Sequence, residues 1–419
     1  MSTGISMDVD TVLTSLKPYI ISTYNDGEIP SEIYIAFRNS NVDKIRKMWK
    51  NCIDPLSLTR STLRGETEIV CKPNQIYVKS SHDRAYFVFE LNSGKIYAPA
   101  DMFSDDMFEA LHEEMLYFIV QRRGNVYYAT EVKPLIANEK KELGKELYEY
   151  LSVNGIPFTS AIAVAYGYAP RYPIDFLTFV RSLTLYKVAG NTIHAFELSL
   201  PNTGKTTFGI RNQFAFNWAY VDEVPSYARL IMDARNGALG LVFRSNGVFI
   251  DEIDKYNANM KEIIQAMLTG MSHGVWTRAK GDKSAPQIVR KIPIYLSGNI
   301  NIQSLDYKYT FINTLRQLKL NDSMIDALMD RIAVLILGTS KINASDNVIN
   351  YVIPDSYLRG LIAYVNDLAN KHYKDYGIDE GRKRMHYNQI RTILEITLCY
   401  EYDCEKKDYA EAIVNGVVV

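Results

Sequence analysis

At 419 residues the chain is longer than one hydrophobic core usually supports, so a single small domain is excluded and at least two are expected. Its 47 basic and 48 acidic side chains leave a net charge of -1, which excludes a global basic field and confines any nucleic-acid surface to a local patch. Hydrophobic residues at 47% and charged residues at 23% are ordinary for a folded protein, whereas 30 tyrosines make it aromatic-rich with no reason evident in the sequence.

Residues 8–50 read mostly helical, with Val9, Val12, Leu13 and Leu16 on one face, and the basic stretch DKIRKMWKN reads as a solvated helix face. Strands follow over 66–99: TEIVC, QIYVKS and YFVFEL carry β-branched and aromatic residues, and NSG before KIYAP marks a hairpin turn. A helix is expected over 105–123, then a short strand, VYYATEV, then a charged helix over 138–151. Residues 1–150 therefore read as an α+β N-terminal domain, a candidate for substrate or DNA contact. From residue 193 strands, glycine-bearing loops and helices alternate, the signature of a parallel α/β sheet, and 151–340 is the nucleotide-binding core. Residues 341–419 read as a helical lid, with amphipathic stretches at 357–371 and 387–400.

The four cysteines, Cys52, Cys71, Cys399 and Cys404, form no CxxC pair and the histidines are scattered, so neither structural zinc nor a disulfide is expected. The start, MSTGISMDVDTVL, has no leader-like basic and apolar regions, and runs such as 332–337 fall far short of the ~20 residues of a membrane span. A soluble, cytoplasmic protein with no membrane partner is expected.

The strongest local signal is TIHAFELSLPNTGKTTF. An apolar strand at 193–198 feeds the loop Pro201, Asn202, Thr203, Gly204, Lys205, Thr206, Thr207, which opens a helix, as a phosphate-binding loop requires. Backbone N–H groups and the positive end of the helix dipole face the phosphates, Lys205 reaches the β- and γ-phosphates, and Thr206 binds magnesium. Ser199 stands at the first glycine position of GxxxxGK(S/T), and Asn202 where a second glycine is common. Asn tolerates a left-handed conformation and Ser does not, so a slow or nucleotide-locked site stays open as an alternative.

Further on, GVFIDEID is an apolar strand ending in two carboxylates. Asp251 is suited to hold magnesium through its water shell, and Glu252 to orient and polarise an attacking water. A third strand, in KIPIYLSGN, ends at Asn299, placed to sense the γ-phosphate. Helix-opening acids or a Gly-Asn turn would explain either segment alone. The three together point to ATP and Mg2+.

These motifs, with LTGMSHGVWTRAKGD before the strand ending in SGNIN, resemble the Lon-like AAA+ ATPases of bacterial BREX phage-defence systems, the BrxL type. Upstream, YGYAPRYPIDFLTFVRSLTLYKVAGNTIHAFEL and ARLIMDARNGALGLVFRSNGVFIDE have the same spacing as in that family. The resemblance covers about 165–400. It implies a P-loop AAA+ core with a helical lid, ATP hydrolysis, and a homo-oligomeric, hexameric ring. By the same resemblance Arg331 in ALMDRIAVLI is an arginine finger for the neighbouring subunit, and Arg391 in HYNQIRTILEI is the lid contact to the γ-phosphate, with Arg382 and Arg384 as alternatives. About 80 residues follow the core and no Ser-Lys dyad stands among them, so no Lon protease domain is expected.

Residues 273–291 carry Arg278, Lys280, Lys283, Arg290 and Lys291 against Asp282, beside Trp276. Family geometry would aim this insert at the channel, where cations could track a phosphate backbone and the indole could stack on a base. A solvated loop is the competing reading. The expected function is an ATPase coupling Mg-ATP hydrolysis to DNA binding, translocation or remodelling. The alternatives are a protein-remodelling ring and a slow-turnover, nucleic-acid-binding scaffold.

Overall fold

The computed structural model describes residues 8–22, 42–81, 84–103, 116–134, 140–231, 240–255, 260–276, 288–299, 307–338, 342–377, 381–398, 406–415 and 417–418. The chain divides into two compact units. One comprises Ile21–Glu142 with Pro354–Ser356, the other Met1–Ile20, Leu143–Ile353 and Tyr357–Val419. The second unit thus takes in the first 20 residues and the C-terminal helices together with residues 143–353.

The N-terminal unit is a six-stranded sheet of β1 (Thr67–Cys71), β2 (Gln75–Ser81), β3 (Arg84–Leu91), β4 (Gly94–Pro99), β5 (Leu116–Arg123) and β6 (Val126–Pro134). Its order is β1-β5-β6-β4-β3-β2, antiparallel except where β4 meets β6. Alternate residues of each strand point to one side. Phe87, Phe89, Leu91, Ile96, Ala98, Leu116, Phe118 and Val120 thereby converge into a buried core. The turn expected at NSG closes β3 on β4, with Leu91 paired to Gly94.

Two expectations fail here. Leu116–Arg123 is a strand, not the end of a helix, and residues 104–115 lie outside the described residues. In LYFIVQRR every second residue, Leu116, Phe118 and Val120, enters one core while Tyr117 is buried on the opposite face against Ile45 and Met48, so both faces are covered at this end, and Gly124 at φ 61° lets the chain turn back into β6. The second failure is the disulfide: Cys52 and Cys71 are bonded, with Cα atoms 5.6 Å apart. Helix Val42–Ile53 lies beside β1, where Asn51 Nδ2 donates to Thr67 Oγ1 at 3.2 Å, and this brings together two cysteines whose spacing signals nothing. Of the helix expected over 8–50, Val9–Ser15 and Val42–Ile53 are present, and 23–41 lie outside the described residues.

The second unit holds a parallel sheet of β7 (Ala195–Ser199), β8 (Ala219–Val221), β9 (Val248–Ile250), β10 (Ile294–Asn299), β11 (Val334–Gly338) and β12 (Val417–Val418), in the order β8-β9-β10-β7-β11-β12. All five residues of β7 are buried, as expected of a central parallel strand covered on both faces. The C-terminal segment is not wholly helical. After helices Asp355–Lys371, Gly381–Thr397 and Lys406–Asn415 it returns β12 to the edge of this sheet. Among the described residues no helix is long and apolar enough to cross a membrane.

Candidate functional site

The chain leaves β7 at Ser199 and enters helix Lys205–Phe216 through Gly204, which caps the helix at φ 84°. Gly204 is needed twice over: its backbone is left-handed, and a β-carbon there would lie 2.4 Å from the Tyr168 hydroxyl. Asn202 adopts φ 66°, the conformation for which asparagine is the best non-glycine residue. Ser199 is the last residue of β7 and is not among the positive-φ residues, so its backbone does not require glycine. The space for its side chain comes from β11, where Gly338 stands opposite it in register.

Residues from three distant segments meet at the mouth of this loop. Thr206 Oγ1 donates to Asp251 Oδ2 at 3.1 Å, and Lys205 Nζ donates to Asn299 Oδ1 at 3.1 Å. The parallel register explains the meeting: β9, β10 and β7 are neighbours and all three end at the same edge of the sheet. Asp251 also accepts from Tyr220 at 3.1 Å, from the Ser297 hydroxyl and from the Glu252 amide at 3.0 Å. Burial and this carboxylate push the Tyr220 phenol up to about 12, so it stays a donor at neutral pH. Glu252 sits at φ 54° with its Oε2 paired to Lys255 at 2.5 Å. Asp254, which the sequence reading passed over, accepts the Asn299 amide at 2.7 Å and so fixes the end of β10.

Beneath the loop lies a buried ion pair that the sequence reading also missed. Arg181, on helix Ile174–Ser182, and Glu197, in the middle of β7, are both 0% exposed and meet at 2.5 and 2.9 Å. Arg181 Nη1 donates to the Thr203 carbonyl at 2.9 Å, while Ser199 Oγ donates to Glu197 Oε1 at 2.9 Å and the Tyr295 hydroxyl donates to Oε2. Burial alone would push the Glu197 carboxyl up, but the Arg181 guanidinium and these donors outweigh it and hold it below its usual range. Lys205 is itself only 6% exposed and donates to the Ser199 carbonyl, the Ser199 hydroxyl and the Leu200 carbonyl at 2.9 to 3.2 Å. Burial depresses its pKa and Glu197 opposes that. A signal was available: a glutamate inside the buried strand HAFELS demands a counter-charge.

This donor set fits a magnesium nucleotide. A left-handed glycine opens a three-turn helix beside a buried lysine, and a hydroxyl and a carboxylate stand in contact, the hard oxygen pair that octahedral Mg2+ takes alongside phosphate and water. Among the described residues no group of three His, Cys, Asp or Glu side chains forms a separate metal site.

The other expected site residues fall elsewhere. Arg331 Nε donates to the Leu268 carbonyl at 2.8 Å and to Ser272 Oγ at 2.6 Å, and Nη1 to the Ala327 carbonyl, so within one chain it is held against helix Met260–His273. Arg391 pairs with Glu395 at 3.2 Å and lies over the Tyr376 ring at 5.8 Å. Arg384 pairs with Asp375. Trp276 overturns an expectation: it is 1% exposed and its indole N–H donates to the Arg290 carbonyl at 2.8 Å, so it is a core residue with no face for a base. Arg290 itself holds the Phe243 carbonyl and Asn246, and Lys291 holds Asn191. Arg278, Lys280 and Lys283 lie outside the described residues.

Residues 175–374 match the model of the ATPase domain of Lon-like protease BrxL-like proteins. An uncharacterised protein of Acidianus filamentous virus 2, ORF425, is 44% identical over 97% of this chain and 100% of its own length. Uncharacterised protein 440 of Sulfolobus islandicus rod-shaped virus 1 is 30% identical over 69% of this chain and 68% of its own. Among solved structures, a full-length MCM homolog from Methanopyrus kandleri aligns with a TM-score of 0.45 and 13% identity over 84% of this chain and 76% of that one, too distant a likeness to carry function.

Proposed function

We propose that the chain, whose residues 175–374 belong to the family of Lon-like, BrxL-like ATPase domains, is an AAA+ enzyme that hydrolyses Mg-ATP and couples the turnover to DNA. The observation that carries this reading is the convergence of Thr206 on Asp251 and of Lys205 on Asn299, each at 3.1 Å, from three strand ends far apart in the chain. Mg2+ held by Thr206 and Asp251 would supply charge that neutralises the β- and γ-phosphate oxygens. Lys205 exchanges its protein acceptors for those oxygens, and the loop amides of 202–207 bind the phosphates. Glu252 leaves Lys255, orients a water toward the γ-phosphorus and takes its proton as the bond to the ADP oxygen breaks. Asn299, anchored by Asp254, holds the water or the γ-phosphate in line.

The same reading makes the protein a homo-oligomeric, hexameric ring. Arg331 then leaves the carbonyls of its own chain and stabilises charge at the neighbouring subunit's site, while Arg391 acts from the C-terminal helices. DNA contact falls to Arg278, Lys280 and Lys283, without Trp276. Ser199 lies outside the positive-φ residues and Asn202 takes the left-handed conformation that asparagine tolerates, which supports an intact phosphate loop.

The test measures ATP hydrolysis by wild type and Glu252→Gln, alone and with single-stranded DNA, duplex DNA or an unfolded protein, at two salt concentrations. Expected is DNA-stimulated turnover that weakens with salt and falls by roughly 10²-fold or more in the variant. Stimulation by unfolded protein alone would make it a protein remodeller. Absence of turnover in both proteins under every condition would overturn the ATPase reading.

A further inference from the structure

The sheet of the N-terminal unit has a second face, and it accounts for part of the tyrosine excess. Across β2, β3, β4 and β6 the pairs Lys79 with Tyr86, Tyr77 with Val88, Val88 with Tyr97 and Tyr97 with Tyr128 stand side by side. Strand alternation therefore gathers Tyr77, Tyr86, Tyr97 and Tyr128 on the side away from Phe87, Phe89 and Ile96. The rings of Tyr86, Tyr97 and Tyr128 form a triangle with centroids 6.0 to 6.4 Å apart. None of the four is buried, and Tyr77 is 37% exposed. Helix Val42–Ile53 packs on the β1 and β5 end of this face, where Ile45 and Met48 meet Val70 and Tyr117.

Exposed cations stand over the same rings. Lys95 Nζ lies 5.4 Å from the Tyr77 ring, Lys79 Nζ 5.7 Å from Tyr97, and the Arg123 guanidinium 5.8 Å from Tyr128. The acids of these strands on this face are Glu90, 3.4 Å from Lys95, and Glu131, 2.6 Å from Lys133. A cluster of partly exposed rings, tilted 43 to 76° to one another and edged by cations, is complementary to a polyanion that also offers unpaired rings able to stack on each of them. A protein strand would find few carbonyl partners here, because the face presents rings and ammonium groups rather than a backbone edge.

We propose that this face binds single-stranded nucleic acid: bases stack on Tyr86, Tyr97 and Tyr128, while Lys79, Lys95 and Arg123 turn from the rings to the backbone phosphates. Exposed cation–ring contacts are weaker than base stacking, so the exchange favours the complex. Such a surface works without turnover and does not rest on the motor reading.

The experiment uses the full chain and a labelled oligothymidylate, with a hairpin duplex as competitor, read by fluorescence anisotropy at several salt concentrations. Replacing Tyr86, Tyr97 and Tyr128 by Leu should weaken binding by about fivefold or more per ring, while the triple Phe variant binds like wild type. Lys79→Gln with Arg123→Gln, which leaves the packing intact, should flatten the salt dependence. Basal ATP hydrolysis should be unchanged in all three, which also reports that each variant is folded. Equal binding by wild type, the Leu variant and the Lys79/Arg123 variant would overturn the proposal, as would a duplex that competes as well as a single strand. Loss of DNA-stimulated hydrolysis with oligothymidylate binding intact would count against the motor reading while leaving this face in place.

Discussion

Ser199 and Gly338 face each other across the central pair of parallel strands, and a β-carbon at Gly338 would lie 2.3 Å from that of Ser199. The glycine absent from the phosphate loop is in effect supplied by the neighbouring strand, and the serine hydroxyl then links Lys205 to Glu197. Gly338→Ala should therefore displace the loop and weaken ATP binding by at least tenfold. Adding Ser199→Gly should recover most of that affinity. Equilibrium binding of a fluorescent ATP analogue to the two variants checks this, and an unaffected single variant would refute the packing argument.

Arg181 and Glu197 are a fully buried pair, so removing one partner leaves the other charge stranded. Arg181→Met should cost about 3–5 kcal/mol, and adding Glu197→Gln should return part of that loss. Urea unfolding of both single variants and the double variant gives the coupling, expected at roughly 2 kcal/mol. Simple additivity would mean that the pair does not act as a unit.

Acid should destabilise the core through His194. Its Nδ1 accepts the Ile294 amide at 3.1 Å and its Nε2 faces the Met271 carbonyl at 3.3 Å, an arrangement that suits a neutral ring. Burial, with His386 and Arg331 nearby, depresses its pKa to about 3. The unfolded chain takes up this proton near pH 6.5 and the folded chain only near pH 3. The stability present above pH 6.5 is thus lost progressively as pH falls to 3, by on the order of 4 kcal/mol in all. Chemical denaturation at pH 7.5, 5.5 and 4.5 should follow this slope in wild type, and His194→Asn should flatten it.

The Cys52–Cys71 bond closes a loop between residues 19 apart and should contribute about 3 kcal/mol to the N-terminal unit. Thermal melts with and without a thiol reductant, beside a Cys52→Ala/Cys71→Ala variant, test this. Reductant should lower the wild-type transition to that of the variant, and coincident melts in all three conditions would exclude the bond.

The residues that meet at the candidate site could be picked out in the sequence because each of its parts is local. Lys205 and Thr206 follow a strand, Asp251 and Glu252 end one, and Asn299 ends another, so strand, loop and composition are read within about ten residues. The strand β5 was misread because its neighbours in the sheet, not its own residues, determine which of its side chains are buried. Trp276 was misread for a related reason: an indole among cations looks exposed until the Arg290 carbonyl and the packing around Gly270 enclose it.

The sequence by itself determined the pattern: a glycine-bearing loop ending in Lys205 and Thr206, a carboxylate pair and Asn299, each at the end of an apolar strand, and so a parallel α/β core. Only the tertiary structure decided how that loop is held and what else the chain presents. Arg181 reaches Glu197, Gly338 makes room for Ser199, Cys52 meets Cys71 and four tyrosines share one face because sheet order and register bring distant residues together. Pairing is a property of neighbouring strands, and no spacing along one strand encodes it.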